Sequence, residues 1–505
     1  MMKTKRKGNA VWHTVGKLLI IVACSMVFPL ITAFIYKEHC GSAFAIMLPI
    51  TLAIGVFLLQ FFRPEGKVHM KTRDGAMIVT FGWIFAAMLG MIPYLIAGTF
   101  DNAADAFFEA MSGFATVGAS VLDDLDNAPK TILMWRSVTH WLGGMGIIVL
   151  FVALMANMGA NAMQIFKAEA AGPVKDKLQP KLADSARILW AIYLANTAIT
   201  FVVLFVCGMN GFDALNHAFS VVATGGFSTK TASIGYYDSA LIQWAMTGCM
   251  FMAGINYALF FYLYRTRSLR CFKESVEFKV YLAITVLAIV LIAGNNLGYY
   301  QQDVFTAVRY AAFHVTSLLT TTGFVCSDYE LWMPGAKFIL LALMLSGACA
   351  GSTTCGFKID RHIILFKRMY YEVQRFLHPR MVRTVKANQK QLSEQVVHSV
   401  TTFFYLFIMI TLVSTFVLCC MGMDMLSAFT GALSCLGGVG PALGMLGPAE
   451  SFSAAPSAAK WLFSALMLIG RLEIFTVLAV FWPDKHRHLR YKKIKVTTEA
   501  DTIKL

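Results

Sequence analysis

The sequence predicts an all-α polytopic membrane protein with two leading helices followed by four related repeats. Composition is the first observation that supports this: of 505 residues, 57% are hydrophobic and only 14% are charged, whereas about a quarter are charged in a typical soluble domain. The second is that long, nearly uncharged runs recur along the chain, each long enough to cross roughly 30 Å of hydrocarbon. The third is a short glycine-bearing segment that recurs four times between these runs.

Ten apolar runs are predicted to be transmembrane helices. They cover residues 18–36, 43–62, 76–98, 131–158, 185–208, 240–263, 279–297, 335–356, 397–420 and 459–482. The first run follows a basic N-terminus, as the apolar core of a signal peptide would. However, it is as long as a full span and shows no small-residue cleavage site, so we expect a retained helix.

Four shorter, semi-apolar segments decide the topology. They cover residues 101–120, 213–229, 303–325 and 424–446. If each segment enters the membrane and returns, six basic regions that hold 35 of the 43 Lys and Arg residues share one side. These regions are 1–17, 63–75, 164–184 with Arg187, 264–279, 358–394 and 483–505. The positive-inside bias therefore favours re-entrant segments and cytoplasmic termini. It also explains the net charge of +15 without nucleic-acid binding.

The four re-entrant segments are similar when aligned on one glycine. They read SGFATVGAS, SVVATGGFS, SLLTTTGFV and SCLGGVGPA, with reference glycines Gly118, Gly226, Gly323 and Gly440. A serine lies six positions before each glycine, and we favour a hydrogen bond from it to the backbone of its own helix. An aspartate opens the apolar stretch before each glycine and is a suitable helix N-cap. These aspartates are Asp105, Asp213, Asp303 and Asp424.

The repeats divide the chain into six parts. We expect an N-terminal two-helix segment (1–70), pore repeat 1 (71–163), pore repeat 2 (164–264), pore repeat 3 with an intramembrane gating loop (265–375), pore repeat 4 (376–483) and a basic cytoplasmic tail (484–505).

The repeated glycine loops predict a cation-selective filter in a pseudo-four-fold central pore. Irregular backbone at membrane depth persists only where it is buried in protein or lines water. A ring of carbonyl oxygens can replace the hydration shell of a monovalent cation, and the C-terminal end of each short helix adds partial negative charge. For a single loop, a helix-packing glycine would be the better interpretation. Four loops in register favour a filter formed by Ala115, Thr116, Val117, Gly118, Ala223, Thr224, Gly225, Gly226, Thr320, Thr321, Thr322, Gly323, Gly437, Gly438, Val439 and Gly440.

Two further features lie within the apolar runs. The segment SGACAGSTTCGFKIDR (346–361) is poor helix material and predicts either a movable constriction or a kink where helices cross. Arg471 lies inside the last run, where a buried arginine costs about 2.5–3.5 kcal/mol. It is either a positive charge beside the pore or part of an anchoring salt bridge. Glu473 is not its obvious partner, because residues at i and i+2 do not face each other on a helix.

These residues resemble the Trk/Ktr/HKT superfamily of potassium transporters, and the TrkH type in particular. The resemblance rests on WRSVTHWLGGMGIIVL (135–150), ATGGFST (223–229), LTTTGF (319–324), GACAGST (347–353), GVGPALG (438–444) and GRLEIFTVL (470–478). It covers about residues 70–482. The two extra N-terminal helices fit TrkH rather than the shorter KtrB type.

The resemblance implies selective potassium uptake in the bacterial cytoplasmic membrane, with potassium as the transported substrate held at the filter and no cofactor. It implies a gating loop formed by Gly351, Ser352, Thr353, Thr354, Cys355 and Gly356, with Arg471 on the pore side. It also implies a homodimer that works with a cytosolic nucleotide-binding regulator of the TrkA type. The gating loop departs from the family's usual GSTGGG, because this chain reads GSTTCG.

Other functions are less consistent with the sequence. A sodium-coupled or less selective monovalent cation transporter stays open as an alternative, because carbonyl oxygens bind both ions. An enzyme is not expected, since the intramembrane histidines stand singly and no catalytic residue is predicted. The glycines of GVGPALG follow an apolar membrane segment rather than a strand, which disfavours a nucleotide site. The eleven cysteines are expected to be mainly buried apolar residues, although Cys40 and Cys326 could pair.

An acidic surface is predicted on the side opposite the basic regions. It carries Asp123, Asp124, Asp126, Asp328 and Glu330. These residues form either an ordinary solvated surface or a negative vestibule that raises the local cation concentration.

Overall fold

The protein is an all-helical membrane protein, as the sequence predicts. A computed structural model describes residues 2–64, 72–157, 182–379, 384–387 and 390–482. The predicted tail 483–505 and most of the predicted basic loop 164–184 lie outside these residues.

The described residues form nineteen α-helices and one short antiparallel ladder. The helices are α1 Met2–Ser25, α2 Val27–Tyr36, α3 Gly41–Phe61, α4 Thr72–Ile96, α5 Ala103–Phe114, α6 Lys130–Asn157, α7 Leu182–Val206, α8 Gly211–Val222, α9 Ala240–Ala253, α10 Tyr257–Thr266, α11 Arg270–Glu274, α12 Val276–Asn295, α13 Val304–Leu319, α14 Pro334–Met344, α15 Ile359–Leu377, α16 Glu394–Cys420, α17 Met425–Gly437, α18 Ser457–Arg471 and α19 Ile474–Phe481. The ladder pairs β1 Lys386–Ala387 with β2 Lys390–Gln391.

Many of these helices are long and apolar enough to cross a membrane. Among the described residues, six segments meet this test by length and composition, and the number rises to eight if each of two bent helix pairs is one span. Helix α6, with 28 residues, is also long enough. The count of ten spans stays a prediction.

Two of the predicted spans are each divided into two helices by a sharp bend, which the sequence prediction did not include. The run 240–263 divides into α9 and α10, which meet at 88°, and the run 459–482 divides into α18 and α19, which meet at 111°. In the first break the side chain of Asn256 accepts a hydrogen bond from Ala258 N at 2.9 Å and so starts a new helix. In the second, Glu473 has φ +61°, which no continuing helix allows.

The four short helices α5, α8, α13 and α17 precede the glycine loops and begin at capped residues. Asp303 and Asp424 are N-caps, as predicted. Asp105 and Asp213 are not, because they lie in the third position of their helices and Asn102 and Asn210 occupy the caps. Asparagine is as good an N-cap as aspartate, and a carboxylate in the first turn is also favourable there.

These four helices lie at the centre of the fold. Most residues of each are buried, including the run from Ala106 to Phe114 in α5, whereas Val304 and Phe305 in the first turn of α13 are exposed. The outer helices carry large exposed apolar side chains, such as Val206 and Phe416. This arrangement suits a bilayer. No water in the hydrocarbon core can form hydrogen bonds with polar groups, so these groups are buried inside the protein and apolar side chains face the lipid.

Small residues allow the helices to pack closely around the centre. Gly470 of α18 lies against the end of α17, where an added Cβ atom would be 2.1 Å from the carbonyl oxygen of Leu436. Glycines at such contacts let two helix backbones approach each other. The position of the fourth glycine loop therefore depends on the absence of a side chain at Gly470.

We predict that Gly470→Ala lowers the thermal melting temperature of the purified protein, because α17 and α18 must move apart. Gly248→Ala in α9 is the matched control, since an added Cβ atom there meets no atom within 4 Å. Removing a mid-helix glycine from open space should be neutral or stabilising by up to about 1 kcal/mol. Equal melting curves for the two variants would contradict this account of the packing.

Candidate functional site

The four glycine loops meet in a closed ring. A Cβ atom added to Gly118, Gly226 or Gly323 would lie 2.1 Å from the carbonyl oxygen of Gly225, Thr322 or Val439, respectively. A Cβ atom on Gly440 would lie 2.6 Å from the carbonyl oxygen of Val117, which returns to the first loop. Each glycine therefore abuts the residue that precedes the glycine of the next loop. This contact leaves no room for a side chain.

The loops share one backbone conformation. The four reference glycines have φ between +81° and +100°, which glycine adopts without steric cost. Two positions earlier, Thr116, Thr224 and Thr321 have φ of +53°, +54° and +52°, and Gly438 has +70°. A β-branched residue in this region is strained, so the surrounding contacts must impose it.

Hydrogen bonds to the preceding helix hold the loops in this conformation. The amide before each reference glycine donates to the carbonyl of the repeated serine at 2.8–2.9 Å. These donors are Val117, Gly225, Thr322 and Val439, and the acceptors are Ser112, Ser220, Ser317 and Ser434.

The carbonyl groups of these loops are left without donors. Among the described residues, the carbonyl oxygens of Thr116, Val117, Thr224, Gly225, Thr321, Thr322, Gly438 and Val439 accept no hydrogen bond. All eight residues are buried. Buried backbone acceptors are nearly always paired in folded proteins, so a cluster of unpaired ones needs another partner. Cations are the partners that carbonyl oxygens attract.

The hydroxyl groups of the repeated serines do not take the expected role. Ser317 Oγ donates to the carbonyl of Phe324 at 2.7 Å, and Ser434 Oγ donates to that of Gly440 at 2.8 Å. Ser434 Oγ also donates to the carbonyl of Pro441 at 2.9 Å. These acceptors lie at or after the reference glycines rather than in the same helix. The prediction of a bond within the helix is therefore wrong for these two serines, because the returning chain brings an acceptor closer. Ser112 and Ser220 are buried, and their hydroxyl groups have no partner among the described residues.

A cavity of about 380 Å³ opens on one side of the ring, and all four reference glycines line it. Asp123 and Glu450 also line this cavity. Asp126 pairs instead with Lys230 at 3.2 Å, and Glu330 lies 3.7 Å from Lys337. The side chain of Asn127 donates a hydrogen bond to Asp124 and lowers the pKa of that carboxyl, which keeps it ionised. The predicted acidic surface is thus partly neutralised by lysines.

A loop made of residues 345–358, which we call the intramembrane loop, lies against the ring and contacts the first, third and fourth glycine loops and the end of α8, which leads into the second. Thr353 Oγ1 donates to the carbonyl of Val222 at 3.0 Å, and the amide of Cys355 donates to Thr321 Oγ1 at 3.0 Å. Cys355 Sγ lies 4.0 Å from the carbonyl oxygen of Ala115. A Cβ atom added to Gly438 would lie 2.5 Å from the Cβ of Cys355. The loop is therefore packed directly against the ring.

Neighbouring helices anchor this loop at its two ends. The amide of Gly347 donates to the carbonyl of Phe357 at 3.0 Å, which closes the loop at its base. The amide of Ala350 donates to Glu277 Oε1 at 2.5 Å. The amide of Tyr257 donates to the carbonyl of Gly351 at 3.1 Å, within the break between α9 and α10.

Arg471 lies beneath the ring and holds the intramembrane loop. It is buried, and its Nη1 atom donates to the carbonyl of Thr353 at 2.9 Å and contacts Cys355 Sγ at 3.1 Å. Its Nη2 atom donates to the carbonyl of Gly143 at 2.8 Å. Among the described residues no carboxylate pairs with Arg471, whereas Glu473 pairs with Arg361 at 2.6 Å. The interpretation of Arg471 as one half of an anchoring salt bridge is therefore wrong.

Sequence reasoning missed a buried ion pair beside the ring. Glu109 of α5 and Arg136 of α6 lie 2.6 Å apart and are almost fully buried. The available signal was two ionisable residues within membrane-spanning sequence, which by default indicate a functional position.

The cysteines are less buried than the sequence predicts. All eleven are free, including Cys40 and Cys326, and four are buried, five are partly exposed and two are exposed. The prediction that they are mainly buried is therefore wrong. In the part of the chain that the structure describes, no cluster of histidine, cysteine or acidic side chains has the arrangement of a metal site. His140 is buried and stacks on Phe227, with ring centroids 4.0 Å apart.

The family model for TrkH, described as "Cation transport protein", matches residues 41–487. The chain belongs to the TrkH family of cation transport proteins. It is 37% identical over 479 residues to the Trk system potassium uptake protein TrkH of Salmonella typhimurium, a match that covers 94% of this chain and 98% of the relative. It is also 32% identical to the Trk system potassium uptake protein TrkG of Escherichia coli, over 94% of this chain and 97% of the relative.

A solved TrkH-family structure has the same fold. The crystal structure of the potassium transporter TrkH from Vibrio parahaemolyticus superposes with a TM-score of 0.85 and 33% sequence identity, over 95% of this chain and 99% of that chain. The family is thus one of transporters rather than of enzymes, and the resemblance seen in the sequence is confirmed.

We predict that Gly226→Ala abolishes cation uptake, because its Cβ atom would collide with the carbonyl oxygen of Thr322 inside the ring. Gly208→Ala is the matched control: Gly208 also has positive φ, at +107°, but an added Cβ atom there meets nothing within 4 Å. Alanine at either position costs about 1–2 kcal/mol of backbone strain. Cation uptake into cells should therefore persist in Gly208→Ala. An equal loss of uptake in the two variants would show that backbone strain, and not the collision inside the ring, causes the defect.

Proposed function

We propose that this protein carries potassium ions selectively into the cell through the ring of glycine loops. The unpaired carbonyl oxygens of that ring are the observation that carries the proposal. Relatives that align with this chain over nearly their whole length are named potassium uptake proteins, which supports the proposal. The filter consists of the four segments Ala115–Gly118, Ala223–Gly226, Thr320–Gly323 and Gly437–Gly440.

Physical chemistry favours a cation at this position. Carbonyl oxygens replace the water that a potassium ion loses on entry. Helices α5, α8, α13 and α17 end at the loops, so their C-terminal dipoles place partial negative charge there. Because carbonyl groups and dipole ends have the same sign, the ring attracts cations and excludes anions. The site is formed by backbone, so its dimensions depend on the contacts that hold the loops.

The intramembrane loop is the gate in this proposal. It lies against the ring, and Arg471 and Glu277 hold it in place. A guanidinium beside the axis also opposes cation occupancy on that side of the ring. Conduction then requires the loop to leave the contacts with Thr321 and Val222.

The assembly proposed for this chain is a homodimer in the bacterial cytoplasmic membrane, with both termini cytoplasmic. The relatives named as part of a Trk system and the basic regions 358–394 and 483–505 support a cytosolic nucleotide-binding regulator of the TrkA type that acts on the gate. Such a regulator would supply the free energy needed to shift the loop between two conformations. The six-part division of the chain belongs to the same proposal.

Flux measured in liposomes tests the proposed function. Purified protein should pass rubidium, a potassium analogue, in strong preference to sodium, and a cognate regulator should change the rate. Equal rubidium and sodium fluxes, or rubidium flux that requires a sodium gradient, would replace the proposal with a less selective or sodium-coupled transporter.

We predict that Arg471→Ala increases rubidium flux, since the gate loses its hydrogen bond at Thr353 and the pore loses a positive charge. One hydrogen bond from a charged donor contributes about 1.5–3 kcal/mol, which corresponds to roughly ten-fold or more in the open population. Arg471→Lys keeps the positive charge but cannot donate to the carbonyls of both Thr353 and Gly143. It therefore separates the effect of the charge from that of the hydrogen bonds. An unchanged flux in Arg471→Ala would return the residue to a structural role.

A further inference from the structure

We propose that the buried pair of Glu109 and Arg136 positions the exits of the first two glycine loops and thereby sets the selectivity of the ring for potassium over sodium. This inference rests on the proposed function of the ring. Neither residue forms part of the ring itself, so both are positioning residues that act through the backbone of their neighbours.

The pair holds the segment that leaves the first loop. Ser120, two residues after Gly118, donates its hydroxyl to Glu109 Oε1 at 3.0 Å. The amide of Val121 donates to Glu109 Oε2 at 2.9 Å. Arg136 donates from Nη2 to Ser120 Oγ at 3.0 Å and from Nε to Glu109 at 2.6 Å. The exit of the first loop is therefore fixed by a carboxylate and a guanidinium together.

Arg136 extends the same support to the second loop. Its Nη1 atom donates to the carbonyl of Ser228, two residues after Gly226, at 3.0 Å. Its guanidinium carbon lies 4.0 Å from the centre of the Phe227 ring. Only the planar fork of arginine presents donors to three such acceptors at once while stacking on an aromatic ring. The pair thus connects the segment that leaves the first loop to the segment that leaves the second.

Sequence position supports a specific role for Glu109. The residue nine positions before the reference glycine is Glu109 in the first repeat and His217, His314 and Gly431 in the others. His217 Nε2 lies 3.1 Å from Ser228 Oγ, so the second repeat has the corresponding contact with an imidazole in place of a carboxylate. Of the four equivalent positions, the one in the first repeat carries a carboxylate, Glu109, and this is the position that lies within 2.6 Å of Arg136.

Charge balance explains why the partners occur together. Arg136 lines the cavity that leads to the ring, and an unpaired guanidinium there would repel incoming cations. Glu109 cancels that charge within hydrogen-bonding distance. Discrimination between potassium and sodium depends on the arrangement of the coordinating carbonyl groups. Looser exits would let the carbonyl groups of Val117 and Gly225 move inward around the smaller ion.

The test compares rubidium and sodium fluxes in liposomes that contain equal amounts of folded protein. Ser120→Ala removes the shared hydroxyl without changing any charge. It should lower the ratio of rubidium to sodium flux about ten-fold or more, as expected for the loss of hydrogen bonds to charged groups. The double variant Glu109→Gln with Arg136→Gln keeps approximate shape, removes both charges and should lower the ratio at least as far.

Asp105→Asn is the matched control. Asp105 lies one turn before Glu109 on α5 and pairs with Lys460 at 2.7 Å, and among the described residues it makes no hydrogen bond to Ser120 or Ser228. This variant should melt at a lower temperature and keep the wild-type flux ratio. If Ser120→Ala and the double variant also melt earlier but keep the wild-type ratio, the pair is only structural and the inference is overturned. A wild-type protein without rubidium preference would instead overturn the proposed function and the inference with it.

Discussion

The structure depends on one constraint: backbone carbonyl groups are kept without hydrogen-bond donors at the centre of a membrane protein. In lipid such groups cost several kcal/mol each if nothing satisfies them. The chain meets this cost by surrounding four irregular loops with buried helices and by turning each carbonyl against the glycine of the next loop. The ring can close because glycine has no side chain at these four positions.

Around the ring, the chain uses polar contacts that differ from repeat to repeat. In the third and fourth repeats, serine hydroxyl groups hold the segments that leave the loops. In the first and second, charged or aromatic side chains such as Glu109 and His217 take over. The ring is therefore symmetric in its backbone and asymmetric in its supports. Under the proposed function, these supports are places where selectivity can change without altering the loops themselves.

The side of the ring that faces the intramembrane loop is organised by breaks in helices. The bends after α9 and α18 free a carbonyl at Gly254, which accepts from the amide of Cys349, and place Arg471 beside Thr353. The side chain of Cys355 fills the space beside Gly438. It adds a contact between the intramembrane loop and the ring.

The sequence by itself determined the membrane class, the family and the four loops, because hydropathy and a repeated glycine are local patterns. It also indicated that Arg471 faces protein or water, since a charge in lipid is costly. It did not determine the bends at Asn256 and Glu473, the caps at Asn102 and Asn210, or the pairing of Glu109 with Arg136. Those features depend on which distant segment supplies the partner, and Arg136 meets Glu109 across 27 residues of chain. Only the tertiary structure brings such groups together, because periodicity records which face of a helix is apolar and not what lies against it.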